Sequence, residues 1–125
     1  MAGAVEVAVR ANLHAGETLH TAGQHKPFVI SRIERDGIVL LLGAKRAATP
    51  ISWDVLEGIP AFLAHGWTPA GGKRSTDGEP GTLDEYLKQH IKRDTARWVA
   101  VVLERADVVE LRNAPLQLRR RGATA

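Results

Sequence analysis

Side chains that can bind anions are concentrated at the start of a predicted helix in the second half of the chain. Lys92, Arg93, Thr95 and Arg97 lie close together in the stretch HIKRDTARW. A helix N-terminus carries free N–H groups and partial positive charge, so cations there are unfavourable unless an anion binds between them. Phosphate is the anion that such an arrangement binds best. The cluster therefore predicts phosphate binding, and the alternative is that Asp94 caps the helix while the cations are solvated.

The distribution of charge favours a polyanionic partner. The net charge is +3; residues 1–66 hold six Lys/Arg and six Asp/Glu, whereas residues 67–125 hold eleven and eight. A basic half in a small protein is typical of nucleic-acid binding, so we expect DNA as the partner. The further predicted phosphate contacts in this half are Lys73, Arg74, Arg119, Arg120 and Arg121.

Tryptophans beside cations are candidates for contact with a base. Trp53 follows Lys45 and Arg46 at the start of a predicted helix, and Trp98 adjoins Arg97. An exposed tryptophan next to a cation suits an extruded or methylated base, whereas a buried tryptophan is a core residue. We predict that Trp53, Arg46 or Trp98 reads the base and that Lys45 supports this contact.

Other chemistries have little support in the residue pattern. The chain contains no cysteine, so it has no thiolate nucleophile and no cysteine-bound zinc. His14, His20 and His25 do not have the spacing of a metal-binding motif. The serines lack a nucleophile-elbow sequence, and GGKRST departs from the phosphate-binding loop. We therefore expect no catalysis, no metal and no cofactor, with a small enzyme as a third hypothesis.

The first half predicts an antiparallel sheet. VEVAVR alternates with the period of a half-buried strand, and ETLHTAG is a second strand. PFVISRIERDGIVLLLG contains two apolar runs that meet at Asp36-Gly37, a pair typical of a two-residue hairpin turn. The continuously apolar run 38–42 predicts a strand in the middle of the sheet.

A kinked helix should follow this sheet. Ser52 can cap a helix that starts at Trp53, and Gly66 marks its end. Pro60 does not fit a regular helix interior, so a kink or two short helices are expected near Gly58.

The second half predicts a winged-helix-like unit. Thr82-x-x-Glu85 is a capping box that starts one helix, and a mostly buried helix follows over about 94–106. The stretch VVELRNAPLQLRR predicts a hairpin that turns at 113–115. Helix, turn, buried helix and hairpin is the connectivity of a winged helix-turn-helix, in which the second helix faces the nucleic acid. The expected class is α+β, a single domain over 1–125 with sub-lobes 1–67 and 82–119.

Two long stretches carry a resemblance to a known group of proteins. PFVISRIERDGIVLLLGAKRAATPISWDVLEGIPAFL and GTLDEYLKQHIKRDTARWVAVVLERADVVEL together resemble the small actinobacterial 5-methylcytosine readers. The likeness covers about residues 17–112 and is one of general pattern. It implies a protein that binds cytosine-methylated duplex DNA without an enzymatic step.

The sequence also predicts where the protein is located and which partners it has. The chain has no run of about 18 apolar residues and begins without the features of a signal peptide, so we expect a cytoplasmic, nucleoid-associated protein with no membrane contact. A homodimer is compatible with DNA binding. The principal alternative function is a protein-interaction module that uses the apolar surface of the helix at 94–106.

Overall fold

The protein has an α+β fold, as predicted, and its strands form two antiparallel sheets. The computed structural model describes residues 3–21, 26–43, 45–64, 66–71, 81–91, 95–112 and 116–121. The helices in these ranges are α1 (Ala4–Asn12), α2 (Trp53–Glu57), α3 (Ile59–Phe62), α4 (Leu83–Lys88) and α5 (Ala96–Arg105). The strands are β1 (Thr18–His20), β2 (Pro27–Ile33), β3 (Gly37–Leu42), β4 (Ala47–Ser52), β5 (Thr68–Pro69), β6 (Val109–Arg112) and β7 (Gln117–Arg120).

The first sheet has four strands in the order β1-β2-β3-β4, each antiparallel to its neighbours. β3 lies inside the sheet and is buried along most of its length, which confirms the prediction of a central apolar strand. The predicted strand in ETLHTAG is β1. β4 is an edge strand and contains Pro50, a residue that edge positions tolerate because it has no N–H to donate.

The hairpin between β2 and β3 is confirmed, but its turn lies one residue earlier than predicted. The N–H of Glu34 donates to the carbonyl of Gly37 at 2.7 Å, which leaves Arg35 and Asp36 at the turn. Gly37 does not adopt a positive φ. Glycine is required there for another reason, since a Cβ atom would collide with the carbonyl oxygen of Ile51 on β4.

The prediction of a strand in VEVAVR is wrong, because this stretch lies in helix α1. Val5 and Val9 are buried, and a spacing of four places them on one side of either a helix or a strand. Val7 decides between the two, since it is 56% exposed whereas a strand would bury it with the others. An ion pair between Arg10 and Glu6 at 2.9 Å, one helical turn apart, further favours the helix.

Helix α1 is held at its N-terminus by a carboxylate from α2. The backbone N–H groups of Val5 and Glu6 donate to Glu57 Oε1 and Oε2 at 3.0 and 2.8 Å. These groups have no partner within the helix, and a carboxylate also suits the positive end of the helix dipole. Gly3 leaves the space that the Glu57 carboxylate occupies.

The kinked helix is confirmed as two short helices. Ser52 caps α2, and its Oγ accepts a hydrogen bond from the N–H of Val55 at 3.3 Å. α2 ends before Gly58, and Pro60 lies in the first turn of α3, where its missing N–H costs nothing. α3 ends at Phe62, before the predicted stop at Gly66.

The second half forms a winged-helix-like unit. Thr82 Oγ1 accepts from the N–H of Glu85 at 3.1 Å, which confirms the cap of α4, and α5 follows. β6 and β7 pair as predicted, although the turn at 113–115 lies outside the described residues. β5, which the sequence did not predict, joins them in a sheet ordered β5-β7-β6.

The two halves share one hydrophobic core. Its buried side chains come from α1 and the four-stranded sheet as well as from α4, α5 and the three-stranded sheet. α5 packs against α1, β1, α4 and β6 and is therefore the central helix of this core. Within the part of the chain that the structure describes, no helix has the length and apolar character needed to cross a membrane.

Candidate nucleic-acid interface

The predicted anion site at the start of α5 is only partly described. Thr95 is the N-cap residue and is fully buried, and its hydroxyl has no hydrogen-bond partner among the described residues. A buried side chain does not reach a phosphate, so the structure does not support Thr95 as a contact. Arg97, two residues further on in the first turn of α5, is half-buried. The other predicted contacts in this half that lie outside the described residues are Lys73, Arg74, Lys92 and Arg93.

Helix α5 is not exposed as a recognition helix. Its prediction as mostly buried is confirmed, and Trp98 packs against the core in a half-buried position. The exposed positions on α5 are Glu104 and Arg105 at its C-terminal end, and Arg105 forms an ion pair with Glu17 at 2.8 Å. To enter a DNA groove along its length, α5 would have to leave its own core. The expectation that this helix faces the nucleic acid is therefore not supported.

Trp53 is a core residue and does not form a stacking platform. Its side chain is 7% exposed, and its Nε1–H donates to the carbonyl of Glu34 at 2.9 Å. The guanidinium group of Arg10 lies 5.4 Å from the ring centroid. The prediction that Trp53 contacts a base is contradicted by this burial, because a base can stack only on an exposed ring face.

Lys45 and Arg46 are exposed, but they lie away from Trp53. Both belong to the turn between β3 and β4, where Arg46 adopts a positive φ of 50°. The six residues of β4 separate this turn from Trp53, a distance of roughly 20 Å at about 3.3 Å per residue. The predicted grouping of these three residues is therefore not formed.

Two of the three consecutive arginines at 119–121 are paired with acids. Arg119 donates from Nε and Nη2 to the same carboxylate oxygen of Glu110, at 3.1 and 2.8 Å. Arg121 forms an ion pair with Asp107 at 2.8 Å, and Arg120 is half-buried. Pairing lowers the net charge that these arginines present to a phosphate, so they form a weaker basic surface than their number suggests.

A tryptophan that sequence reasoning did not select lies among these arginines. The guanidinium carbons of Arg112 and Arg119 lie over the ring of Trp67, 4.2 and 4.6 Å from its centroid. Both distances are within the range of a cation–π interaction. Trp67 directly precedes β5, which pairs with β7, so the pairing of these strands brings the indole next to the hairpin.

These side chains share the outer face of the three-stranded sheet. Successive residues of a strand point to opposite sides, and Val109 and Leu118 point into the core. Glu110 pairs with Arg119, and Arg112 with Gln117, on the side away from the core. The arginine–tryptophan face, as we call it, consists of Trp67, Glu110, Arg112, Gln117 and Arg119.

Arg112 is the most constrained exposed cation on this face. Its Nε donates to Oε1 of Gln117 at 2.6 Å while its guanidinium group stacks on Trp67. Arg112 is exposed and, within the described part of the chain, forms no ion pair. The face can therefore offer a fixed guanidinium group with free N–H donors to an acceptor in solution, such as a phosphate or a base edge.

Part of this face was present in the sequence pattern. The alternation of Val109, Glu110, Leu111 and Arg112 places the two polar residues on one side of a strand. Trp67 had no such signal, because only the long-range pairing of β5 with β7 brings it to the hairpin.

Comparison with known proteins adds no further constraint: no family model, curated protein or solved structure matched the chain. Among the residues described, no three histidine, aspartate or glutamate side chains are grouped in a way that would hold a metal ion. The function must therefore be inferred from the geometry of the arginine–tryptophan face.

Proposed function

We propose that this protein binds duplex DNA through the arginine–tryptophan face of its winged-helix-like unit. The observation that carries the proposal is the pair of guanidinium groups stacked on Trp67, 4.2 and 4.6 Å from the ring centroid. Guanidinium groups held in place before binding lose little side-chain freedom when they meet a phosphate or a base. The same face belongs to the β6–β7 hairpin. In a winged helix, the hairpin at this place in the chain order is the wing.

In this proposal the hairpin makes the contact and α5 supports it. α5 packs beneath β6 and is buried, so its role is to hold the sheet in position. Strands can enter the grooves of DNA as helices do, and arginines on them contact both phosphates and base edges. A sheet fixed on a hydrophobic core presents such arginines with a defined orientation.

The proposal extends to cytosine-methylated duplex, and its support here is the resemblance to 5-methylcytosine readers. A methyl group in the major groove is apolar, and an indole beside guanidinium groups offers both apolar contact and hydrogen bonds. We expect a methylated duplex to bind more tightly than its unmethylated copy.

The alternative of a protein-interaction module loses its proposed surface. That hypothesis assigned the contact to the apolar helix at 94–106, and the described part of this helix, α5, packs within its own chain. The DNA proposal does not depend on this surface and is therefore preferred.

Fluorescence anisotropy with a labelled duplex, in methylated and unmethylated form, tests the proposal. The double variant R112A/R119A should bind about tenfold more weakly at low salt, and its log–log salt dependence should be shallower by at least about 1. The matched control K26A/R35A removes the same charge from two exposed positions at the ends of β2. This control should bind almost as well as the wild type.

Two results would contradict the proposal. No binding to either duplex at about 50 mM salt would reject DNA binding. An equal loss of affinity in R112A/R119A and K26A/R35A would show that total charge matters and that the arginine–tryptophan face does not. Equal affinity for the two duplexes would reject only the extension to methylated DNA.

A further inference from the structure

We infer that Arg112 reads a guanine in the bound duplex, with Trp67, Gln117 and Arg119 as its positioning residues. This inference rests on the proposed function. It identifies which of the two stacked arginines carries sequence information and which kind of base it recognises.

The Arg112 side chain is held in a fixed orientation. Its guanidinium carbon lies over the Trp67 ring, 4.2 Å from the centroid, and its Nε–H donates to Oε1 of Gln117 at 2.6 Å. The backbone of Arg112 is also paired with Gln117 across the two strands. The contact with the indole and the hydrogen bond to Gln117 hold the guanidinium group at two points, so few rotamers remain open.

The Arg112 guanidinium group has N–H donors that no described residue uses. A guanidinium group carries five N–H donors, and the bond to Gln117 uses the one on Nε. The terminal nitrogens Nη1 and Nη2 lie at the other edge of the group, on an exposed residue. They form a planar fork that matches two acceptors side by side.

Arg119 contrasts with Arg112. Arg119 stacks on the same indole, but it gives both Nε and Nη2 to Glu110 and its side chain is only 32% exposed. Its charge is largely balanced and its fork is occupied by a carboxylate. Arg119 therefore acts through Trp67 and the sheet, whereas no described residue pairs with the charge or the outer edge of Arg112, which are left for a ligand.

The way in which Arg112 is held favours guanine over phosphate as its ligand. A duplex offers two kinds of paired acceptor: phosphate oxygens, and O6 with N7 of guanine in the major groove. A phosphate accepts a cation in many orientations, so it does not require a guanidinium group that is held at two points. Guanine accepts an arginine edge in its own plane, and the orientation of Arg112 is set in advance for such a contact.

The test begins with selection from a randomised duplex pool by the wild type and by R112K. Lysine keeps the charge but lacks the fork. The wild type should enrich a guanine at one position that R112K leaves unspecified. The enriched duplex is then made with 7-deazaguanine at that position, which removes N7. The wild type should lose about tenfold in affinity for this duplex, and R112K should bind both duplexes equally.

The outcomes separate this inference from the proposed function. Failure of the wild type to bind any duplex overturns both. Binding without an enriched guanine, or without sensitivity to 7-deazaguanine, overturns the inference alone and assigns Arg112 to a phosphate. Equal sensitivity of the wild type and R112K shows that another residue reads the guanine. Circular dichroism of R112K verifies that the variant is folded.

Discussion

The two sheets of this protein cover one core but present different outer faces. In the four-stranded sheet, one outer row of cross-strand neighbours carries no charge: Thr18, Val29, Leu41 and Ala48. In the three-stranded sheet, the outer side is the arginine–tryptophan face. Cations that are held in place on one surface therefore indicate a candidate interface better than the total charge of one half of the chain does.

The number of basic residues in a region does not locate a binding site. Lys45 and Arg46 are exposed at a turn of the four-stranded sheet, with no aromatic side chain to fix them among the described contacts. Arg112 is a single residue, yet an indole and an amide determine its orientation. Orientation is a property of the fold that composition does not record.

The largest expected effect tests whether the two sheets are one folding unit. Leu40 on β3 and Leu118 on β7 are both fully buried in the shared core. Each of L40A and L118A should lower the free energy of unfolding by about 2–5 kcal/mol, because each leaves a cavity. Urea unfolding followed by far-ultraviolet circular dichroism should give a single transition in both variants. Two separate transitions would show that the sheets unfold independently.

A smaller effect is expected at Gly37, where β3 leaves no space for a side chain beside β4. In G37A the new methyl group would collide with the carbonyl of Ile51, so the variant should lose about 1–3 kcal/mol of stability. G16N is a matched control, because Gly16 has a positive φ that asparagine tolerates and open space around its Cβ position. Thermal unfolding of both variants measures the difference. If G37A is as stable as G16N, the close approach at Gly37 is not a constraint.

The smallest effect concerns a bond that joins the two halves. Tyr86 on α4 donates its hydroxyl to the carbonyl of Val55 on α2 at 2.7 Å, and its ring contacts Phe62 and His90. Y86F should lose about 0.5–1.5 kcal/mol, the net contribution of one hydrogen bond. Urea unfolding at neutral pH gives this value, and no change would mean that the bond does not stabilise the contact between the halves.

Tyr86 also predicts a dependence on pH. Burial raises its pKa above 10.0, because the ionised form is poorly solvated. The unfolded chain therefore ionises first, and the stability that Tyr86 contributes is complete below pH 10.0 and is lost as the pH rises through the folded-state pKa. Tyr86 is the only tyrosine in the chain, so tyrosinate absorbance reports its titration directly. Y86F should show a weaker loss of stability above pH 10.0.

Much of the fold could be predicted because its signals are local. The apolar runs around Asp36-Gly37 indicated the hairpin, and the capping residues Ser52 and Thr82 located two helix starts. The error in α1 has a physical reason, since Val5 and Val9 satisfy a period of two and a helical stripe equally well. The exposure of Val7, a tertiary property, distinguishes the two.

The site was less predictable because it depends on long-range pairing. Trp67 reaches the hairpin through the pairing of β5 with β7. The acid that binds Arg119 is Glu110, which lies on the neighbouring strand β6. The burial of Trp53 likewise depends on its neighbours, since its indole N–H finds a carbonyl nineteen residues earlier in the chain. No short stretch of the sequence contains these partners.

One detail of the four-stranded sheet bears on how the protein behaves at high concentration. β4 is an outermost strand, and Pro50 lies in it. An open strand edge normally offers a ladder of donors onto which another molecule can add its own strand, the first event in fibril growth. A proline interrupts that ladder, so the protein carries a built-in barrier to self-templated polymerisation at this side.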